Sequence, residues 1–341
     1  MSTIVTMKHV ADASGVSQAT VSQVLNGKAA THRIAKGTQA RVRDTAARLG
    51  YRRNQSARSM RLGRFMAVGF VVAPDLQYFG FARQPRLVRG LAVGCEQLGS
   101  YLRLVTLMPG ERDPDAYISA LFQELGVDGL VIGEHSALGD RVENAIRKYR
   151  VPTLWANEWR DSDCVIPDEL DGVSDVVGRF IDLGHRRVAF IDSGVNTHFS
   201  SKVRREVFAD LCKKAGLDFE LIKAEPNLHD TTRQFTQLLQ RPDRPTACLT
   251  TGGDRAQTLL WAAREANVSV PSDLSIVALD DHHYGNVGLD ITFKRIPFME
   301  VGQTASAMLQ EKIANPEAPL PPKLVPYGEL KEGESLGPAP Q

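Results

Sequence analysis

The 341-residue sequence contains few cysteines and no long apolar run. The four cysteines, Cys95, Cys164, Cys212 and Cys248, are far apart and form no CxxC pair. This spacing argues against a metal cluster and is typical of reduced thiols in a cytoplasm. No segment approaches the ~20 apolar residues of a membrane-spanning helix, and the first residues lack the apolar stretch of a signal peptide. We therefore expect a cytoplasmic protein with no metal site and no membrane partner.

Motifs of common enzyme and cofactor classes are also missing. No GxGxxG follows an apolar run and no GxxxxGK[ST] or HExxH occurs, so neither a nucleotide cofactor nor a zinc protease site is expected. His9 and His185 lie in no nucleophile pattern, and we expect His185 to make a structural contact where a strand begins. Glycoside hydrolysis requires two carboxyl groups at a defined separation, which sequence does not reveal. A sugar-processing enzyme is the remaining catalytic alternative, but we predict no catalytic residue and no cofactor.

The charge is divided unevenly along the chain. Residues 1–64 contain 12 lysines and arginines against two acidic residues, which leaves 29 basic and 38 acidic residues in the remainder. A basic end on an acidic body predicts a polyanionic partner for that end alone. An unstructured basic tail is the alternative, but the regular apolar residues of this segment favour a folded unit.

From about residue 66 onward, short apolar runs alternate with helical patterns. The runs are rich in Val, Ile and Leu, as is typical of strands buried on both faces. Strands alternating with helices over short connections predict parallel sheets covered by helices, and about nine strands indicate two doubly wound lobes. The runs are Ala67–Ala73, Leu102–Met108, Leu130–Gly133, Pro152–Ala156, Val188–Asp192, Ala247–Thr251 and Ile276–Leu279.

Residues 1–50 instead predict three short helices. The first covers about Met7–Ser14 behind Thr6 as its cap, and the second runs from the cap Ser17 through Leu25. A third covers about Lys36–Leu49. A first helix, a glycine-containing turn and a second helix are typical of DNA-binding proteins, because a small shared core presents the second helix to a major groove. The predicted core residues are Val10, Ala11, Val16, Val21 and Leu25.

The exposed face of the second helix has side chains suited to reading DNA. Gln18 and Gln23 can each bond an adenine through two hydrogen bonds, and Ala19 can contact a thymine methyl group. Hydroxyl and amide groups next to them can donate to phosphates, namely those of Ser17, Thr20, Ser22 and Asn26. A protein-interaction module with solvated polar residues is the alternative.

Residues 51–64 form a short, densely basic segment between the helical unit and the body. It is too short for a stable isolated helix. Met60 between Arg58 and Arg61 has the composition of an apolar minor-groove wedge held by phosphate contacts. A flexible linker with an exposed methionine is the alternative.

The chain resembles the LacI/GalR-type bacterial transcription regulators. The resemblance begins with TMKHVADASGVSQATVSQVLNGK (6–28) and LGYRRNQSARSMRLGR (49–64), which together are highly specific. It continues in VGFVV (68–72), LVRGL (87–91), VDGLVI (127–132), LGHRRVAFI (183–191), RPTACLTTGGD (244–254) and VPSDLSIVALDD (270–281).

The resemblance implies an all-α helix-turn-helix headpiece on an α/β, two-lobed, periplasmic-binding-protein-like body with parallel doubly wound sheets. It also implies a homodimer, or a dimer of dimers, on a pseudo-palindromic double-stranded DNA operator, associated with the nucleoid when bound. Gln18, Ala19 and Gln23 lie where the family reads bases, and Met60 replaces its usual wedge leucine. The predicted DNA-binding residues are Thr6, Ser17, Gln18, Ala19, Thr20, Ser22, Gln23, Asn26, Asn54, Ala57, Arg58 and Met60.

Three features of the headpiece depart from the family pattern. Gln23 stands where arginine or histidine is common, which predicts an unusual half-site. His9 replaces a usual aspartate, and residues 29–36 are longer and more basic than typical, so the loop before the third helix is expected to differ.

A small-molecule effector, sugar-like or purine-like, is expected in the cleft between the lobes, where parallel strands end. Carboxylates facing a guanidinium suit hydroxyl or ring N–H groups, and aromatic rings can cover an apolar sugar face. The resemblance points to Asp168, Arg204 and Asp280, and helix capping or ion pairing is the alternative for each aspartate. Gly253 replaces a usual asparagine, and Leu76–Arg86 replaces a usual Asn-Pro-Phe-Phe. The predicted effector-binding residues are Tyr78, Phe79, Asp168, Arg204, Asp254 and Asp280.

These patterns divide the chain into a headpiece (1–53), a hinge helix (54–64), an N-lobe (65–182 and 297–326) and a C-lobe (183–296 and 327–337). The C-terminal PAPQ is expected to be disordered. Two functions compete with a ligand-controlled regulator. A solute-binding receptor for transport would suit the body but not the basic headpiece, and a sugar-processing enzyme lacks a motif.

Overall fold

The structure is a computed structural model that describes residues 5–27, 29–52, 59, 62–72, 85–107, 113–133, 139–192, 198–281 and 288–341. The chain divides into two compact units, Met1–Phe65 and Met66–Gln341. Among the described residues, no helix combines the length and the apolar character needed to cross a membrane.

The first unit contains three helices, and their predicted limits are confirmed within one residue. They are α1 (Met7–Ser14), α2 (Gln18–Leu25) and α3 (Lys36–Arg48). Thr6 and Ser17 cap the first two helices through their side chains. Gly15 ends α1 in the left-handed conformation, φ 65°, which glycine adopts without steric cost.

A small apolar core holds these helices together. Val10, Val21 and Val42, one from each helix, are fully buried at its centre. The five core residues predicted from the sequence all belong to this cluster or pack against it. Ala29 and Ile34 of the unusual loop also take part, and the Ile34 amide donates to the Ala29 carbonyl at 3.0 Å. The longer loop is therefore anchored to the core.

The second unit is built on two six-stranded sheets. The first has the order β11-β5-β4-β3-β1-β2 and is parallel throughout. Its strands are β1 (Ala67–Val72), β2 (Tyr101–Thr106), β3 (Gly129–Ile132), β4 (Thr153–Ala156), β5 (Cys164–Pro167) and β11 (Lys323–Val325).

The second sheet has the order β12-β10-β9-β8-β6-β7, with β12 alone antiparallel to its neighbour. Its strands are β6 (Arg187–Asp192), β7 (Asp218–Lys223), β8 (Ala247–Thr250), β9 (Ser275–Asp280), β10 (Thr292–Arg295) and β12 (Leu330–Lys331).

Helices cover both sheets. They are α4 (Pro85–Gln97), α5 (Pro114–Gln123), α6 (Gly139–Tyr149), α7 (Glu169–Asp182), α8 (Phe199–Ala215), α9 (Leu228–Leu239), α10 (Gly253–Glu265) and α11 (Phe298–Ala314). α11 returns to the first sheet, where it packs on α4 and on β3–β5. We call the first sheet with its helices the N-lobe and the second the C-lobe.

The predicted lobe boundary at residue 182 is wrong. Val173, Val177 and Phe180 of α7 lie in one buried cluster with Phe190 and Phe208 of the C-lobe. The chain thus leaves the N-lobe at the end of β5, near residue 168. The expected disorder of the C-terminal PAPQ is also not found, because the Ala339 amide donates to the Leu183 carbonyl at 2.8 Å.

Candidate DNA-reading surface and ligand cleft

The outer face of α2 carries the side chains predicted to read bases. Gln18 and Ala19 are exposed and Gln23 is half-buried, whereas Val21 and Val24 of the same helix are buried beneath them. Within the described part of the chain, neither glutamine amide has a side-chain hydrogen bond. Both amides can therefore bond a ligand without giving up an internal partner.

Four flanking polar side chains bond to one another in two pairs. The Ser17 and Thr20 hydroxyls lie 2.9 Å apart, and the Ser17 Oγ also accepts from the Thr20 amide at 3.1 Å. The Asn26 Nδ2 donates to the Ser22 Oγ at 3.1 Å. These bonds fix the rotamers beside the base-reading face, and each hydroxyl and amide group retains capacity for a further hydrogen bond.

The N-terminus of α1 shows how His9 fits a position where the family usually has aspartate. The Thr6 Oγ1 accepts from the His9 amide at 3.4 Å, and the His9 Nδ1 accepts from the Thr6 amide at 3.2 Å. The imidazole nitrogen thus fills the acceptor position of a capping box.

A hydrogen bond between α1 and α3 was not predicted from the sequence. The Arg41 Nε of α3 donates to the Ser14 carbonyl at the end of α1, at 3.0 Å. Because the two residues are 27 positions apart in the sequence, no local sequence pattern predicts this contact. It caps an orphan carbonyl and fixes α3 against the helix-turn-helix pair.

The basic side chains of the described headpiece are not neutralised by carboxylates. In 5–27 and 29–52, no lysine or arginine forms an ion pair with a carboxylate. Unpaired cations on one compact unit attract a polyanion in a salt-dependent manner. Four predicted DNA-binding residues, Asn54, Ala57, Arg58 and Met60, lie outside the described residues.

Two of the predicted effector residues lie together where β8 and β9 end. The Asp280 Oδ2 accepts from the Gly253 amide at 2.7 Å and thereby caps α10. Gly252 precedes that helix with φ 115°, and an added Cβ there would meet the Asp254 Oδ1 at 2.6 Å and the Asp280 Oδ2 at 3.9 Å. Asp254 itself is half-exposed and lies 3.6 Å from the Arg255 guanidinium.

The other described candidates lie where the chain first crosses between lobes. Asp168 caps α7 by accepting from the Leu170 and Asp171 amides at 3.2 and 3.3 Å. Helix capping, the alternative considered for the aspartates, thus describes both Asp168 and Asp280. Tyr78 and Phe79 lie outside the described residues.

Arg204 is buried in an ion pair that the sequence did not reveal. Its Nε and Nη2 donate to the two Glu169 carboxylate oxygens at 2.6 and 3.0 Å, and Nη2 also donates to the Tyr327 hydroxyl at 2.9 Å. The Tyr327 hydroxyl in turn donates to Glu169 at 2.6 Å. Burial disfavours the charged guanidinium, but the charges and hydrogen bonds of Glu169 and Tyr327 together outweigh burial and raise the pKa of Arg204. Burial also raises the pKa of Tyr327, so it stays protonated.

Two sequence features with catalytic potential have structural roles. GESLG (333–337), which the search for enzyme motifs missed, has the GxSxG spacing of a nucleophile elbow, but Ser335 is fully buried. Its hydroxyl donates to the Ile276 carbonyl at 2.6 Å and accepts from the Thr292 amide at 2.8 Å. His185 is buried between the Thr246 hydroxyl at 2.9 Å and the Gly337 carbonyl at 3.1 Å, which confirms its predicted structural contact. Burial lowers the pKa of His185.

Comparison with known proteins gives two family matches. Residues 6–54 match the family described as bacterial regulatory proteins, lacI family, and residues 177–336 match a periplasmic binding protein-like domain. Among curated relatives, the ribose operon repressor of Escherichia coli (strain K12) is 28% identical over 324 residues, 91% of this chain and 94% of that protein. The catabolite control protein A of Priestia megaterium is 25% identical over 315 residues, 89% and 91% of the two chains.

Solved structures show the same fold. The lac repressor dimer bound to operator and the anti-inducer ONPF has a TM-score of 0.76 at 21% identity, covering 98% of this chain and 100% of that one. The complex of the transcriptional regulator CelR with cellobiose has a TM-score of 0.65 at 21% identity, covering 97% and 99%. With its headpiece and body both matched, this chain belongs to the lacI family of bacterial regulatory proteins.

Proposed function

We propose that the chain is a sequence-specific DNA-binding transcription regulator, a repressor, that binds a pseudo-palindromic operator as a homodimer or dimer of dimers. The observation that carries this proposal is the exposed α2 face, where Gln18 and Gln23 present amides without internal partners. An α-helix with its side chains is about 10–12 Å across, which fits the ~12 Å width of the major groove.

The proposed contacts divide into base reading and phosphate positioning. Gln18, Ala19 and Gln23 read base edges, and the flanking hydroxyl and amide groups hold the phosphates. The hinge segment 54–64 inserts Met60 into the minor groove. The phosphate and hinge contacts are Thr6, Ser17, Thr20, Ser22, Asn26, Asn54, Ala57 and Arg58.

A dimer follows from the two-fold symmetry of such an operator. Apolar side chains on two edge strands favour a second copy as the partner. Tyr101 and Leu104 on β2 are about half-exposed, as is Leu221 on β7. A second copy would cover these side chains and bring two α2 helices to successive half-sites.

The effector that we propose is a neutral, polyhydroxylated or purine-like molecule. Arg204 is already neutralised by Glu169, so a carboxylate or phosphate on the effector would gain little from it. Asp168, Asp254 and Asp280 carry lone pairs that accept from hydroxyl or ring N–H groups. The names of two similar proteins, a ribose operon repressor and a regulator bound to cellobiose, also favour a sugar-like effector.

The control mechanism would be a shift in population. Effector closing the cleft would turn the N-lobes of the dimer and change the spacing of the hinge segments, which then pair as helices on DNA or melt. Regulation would take place in the cytoplasm, with the bound protein on the nucleoid. A transport receptor has no use for the α2 face, and the curated relatives are regulators rather than enzymes.

Selection of bound fragments from genomic DNA, followed by gel-shift with the selected duplex, tests this function. We expect a preferred site whose affinity falls by about 10³ or more between 50 and 200 mM salt, as for proteins that contact several phosphates. Neutral sugars and purines are then added, and one class should change the affinity. The absence of any preferred duplex would contradict the proposal.

A further inference from the structure

We propose that His198 forms a latch, which we define as a hydrogen bond that holds the two lobes together. Its Nε2 lies 2.6 Å from the Asn157 carbonyl oxygen. Asn157 follows β4 in the N-lobe, and His198 immediately precedes α8 in the C-lobe. Neither residue belongs to the crossings near residues 168, 296 and 326, so the bond joins the lobes in addition to the covalent connections.

The protonation of the imidazole follows from its second partner. The His198 Nδ1 accepts from the Ser200 amide at 3.3 Å and lies 2.8 Å from the Ser200 hydroxyl. A backbone amide can only donate, so Nδ1 carries no proton and the proton of the neutral ring is on Nε2. Nε2–H therefore donates to the Asn157 carbonyl. The same side chain thus caps α8 and bonds the opposite lobe.

The backbone of Asn157, whose carbonyl accepts this bond, is also held in place. Asn157 is 8% exposed, and its amide donates to the Val165 carbonyl at 2.8 Å. Its backbone adopts the left-handed conformation, φ 60°, which asparagine tolerates better than most residues. The carbonyl oxygen of this left-handed residue is the one that accepts from His198.

The latch lies on the helix that also carries Arg204, six residues further along. Any motion that separates the two lobes must break the His198–Asn157 bond. The Glu169–Arg204 pair lies within the C-lobe, so the same motion can leave it intact. We infer that the latch biases the lobes toward their present arrangement before any effector binds. This inference goes beyond the proposed function, since it requires neither DNA nor effector.

The substitution His198→Asn separates the two roles of the side chain. Asparagine is a strong N-cap, so α8 keeps its cap, but its side chain is too short to reach the opposite lobe. A single neutral hydrogen bond corresponds to about a threefold to tenfold change in the ratio of closed to open molecules. We expect His198→Asn to produce that change with the melting temperature close to that of the parent.

Spin-label distances measured on the full chain provide the readout. Asp140 at the start of α6 and Lys202 at the start of α8 are exposed, and replacing each by a labelled cysteine places one probe on each lobe. The four native cysteines are buried and should remain unlabelled. His198→Asn should broaden the distribution toward longer distances, and an unchanged distribution would overturn the latch.

Substitutions at Asn157 test the acceptor independently. Asn157→Gly retains the carbonyl and the left-handed backbone, so the distances should match the parent. Asn157→Val disfavours that backbone and should reproduce the effect of His198→Asn. If the valine variant keeps the parent distances while folded, the latch is excluded. Because no DNA enters the measurement, that result would leave the proposed function intact.

Discussion

At the scale of single residues, the pair formed by Glu169 and Arg204 shows what burial requires. Two charges removed from water are tolerated because each is hydrogen-bonded and neutralised. The Glu169 carboxylate accepts from two guanidinium nitrogens and from the Tyr327 hydroxyl. The trio connects α7, α8 and the last crossing between the lobes.

Glu169→Gln should destabilise the protein strongly, because it leaves the Arg204 charge buried without a counter-ion. We expect a loss of about 3–5 kcal/mol in the free energy of unfolding, as for other broken buried pairs. Urea denaturation followed by circular dichroism measures it. Glu329→Gln is the matched control, since Glu329 pairs with Lys331 on the surface and its loss should leave the midpoint unchanged. Equal midpoints for all three proteins would contradict the role given to Glu169.

Local residue roles could be predicted from the sequence, but distant partnerships could not. Thr6 and Ser17 were each identified as helix caps, because the bonded amide lies three residues away. Glu169 and Tyr327 escaped prediction because they lie 35 and 123 residues from Arg204. An acidic residue in the first turn of a helix gives no sign of whether it faces water or a buried cation.

At the scale of elements, α4 and α11 approach each other backbone to backbone. Gly90 and Gly94 of α4 face Gly302 and Ser306 of α11. A Cβ on Gly94 would lie 2.6 Å from the Ser306 Cβ, and one on Gly302 would lie 2.7 Å from the Leu91 amide nitrogen. Such close contact depends on the absence of side chains, and it fixes α11 on the N-lobe after the second crossing.

Gly302→Ala should therefore cost at least the 1–3 kcal/mol typical of overpacking, because its obstacle is backbone. Gly178→Ala in α7 is the matched control, since a Cβ there meets no atom within 4 Å. Alanine at this helical position should instead stabilise by about 0.5–1 kcal/mol. Measured by differential scanning calorimetry, the melting temperatures of the two variants should shift in opposite directions from that of the parent. A Gly302→Ala protein as stable as the parent would refute the close packing.

Strands with long apolar runs were predicted, including the edge strand β2. The central strands β5 and β10 were missed, as were the edge strands β7, β11 and β12. β3, β4 and β8 are buried along their whole length, and their continuous apolar runs stand out. β7 is an edge strand that alternates polar and apolar residues, while β11 and β12 have only three and two residues. Such segments carry too little apolar sequence to be distinguished from loops.

At the scale of the whole molecule, the number of lobes could be predicted from the sequence, but one helix was assigned to the wrong lobe. The amphipathic pattern of α7 predicts a helix with one apolar face, but it does not specify which core that face joins. Val173, Val177 and Phe180 pack into the C-lobe, which moves the first crossing from 182 to about 168. The crossing therefore immediately precedes Glu169, and the buried pair secures the chain where it enters the C-lobe.

The central claim is that α2 reads DNA sequence, and substitution of the two glutamines on its outer face tests this most directly. Fluorescence anisotropy would compare the selected duplex with a shuffled duplex for the parent, Gln18→Ala, Gln23→Ala and the remote control Gln97→Ala. The account predicts a loss of about 1–3 kcal/mol in discrimination for each α2 variant, with binding to the shuffled duplex unchanged and Gln97→Ala like the parent. Full discrimination retained by both α2 variants would contradict it.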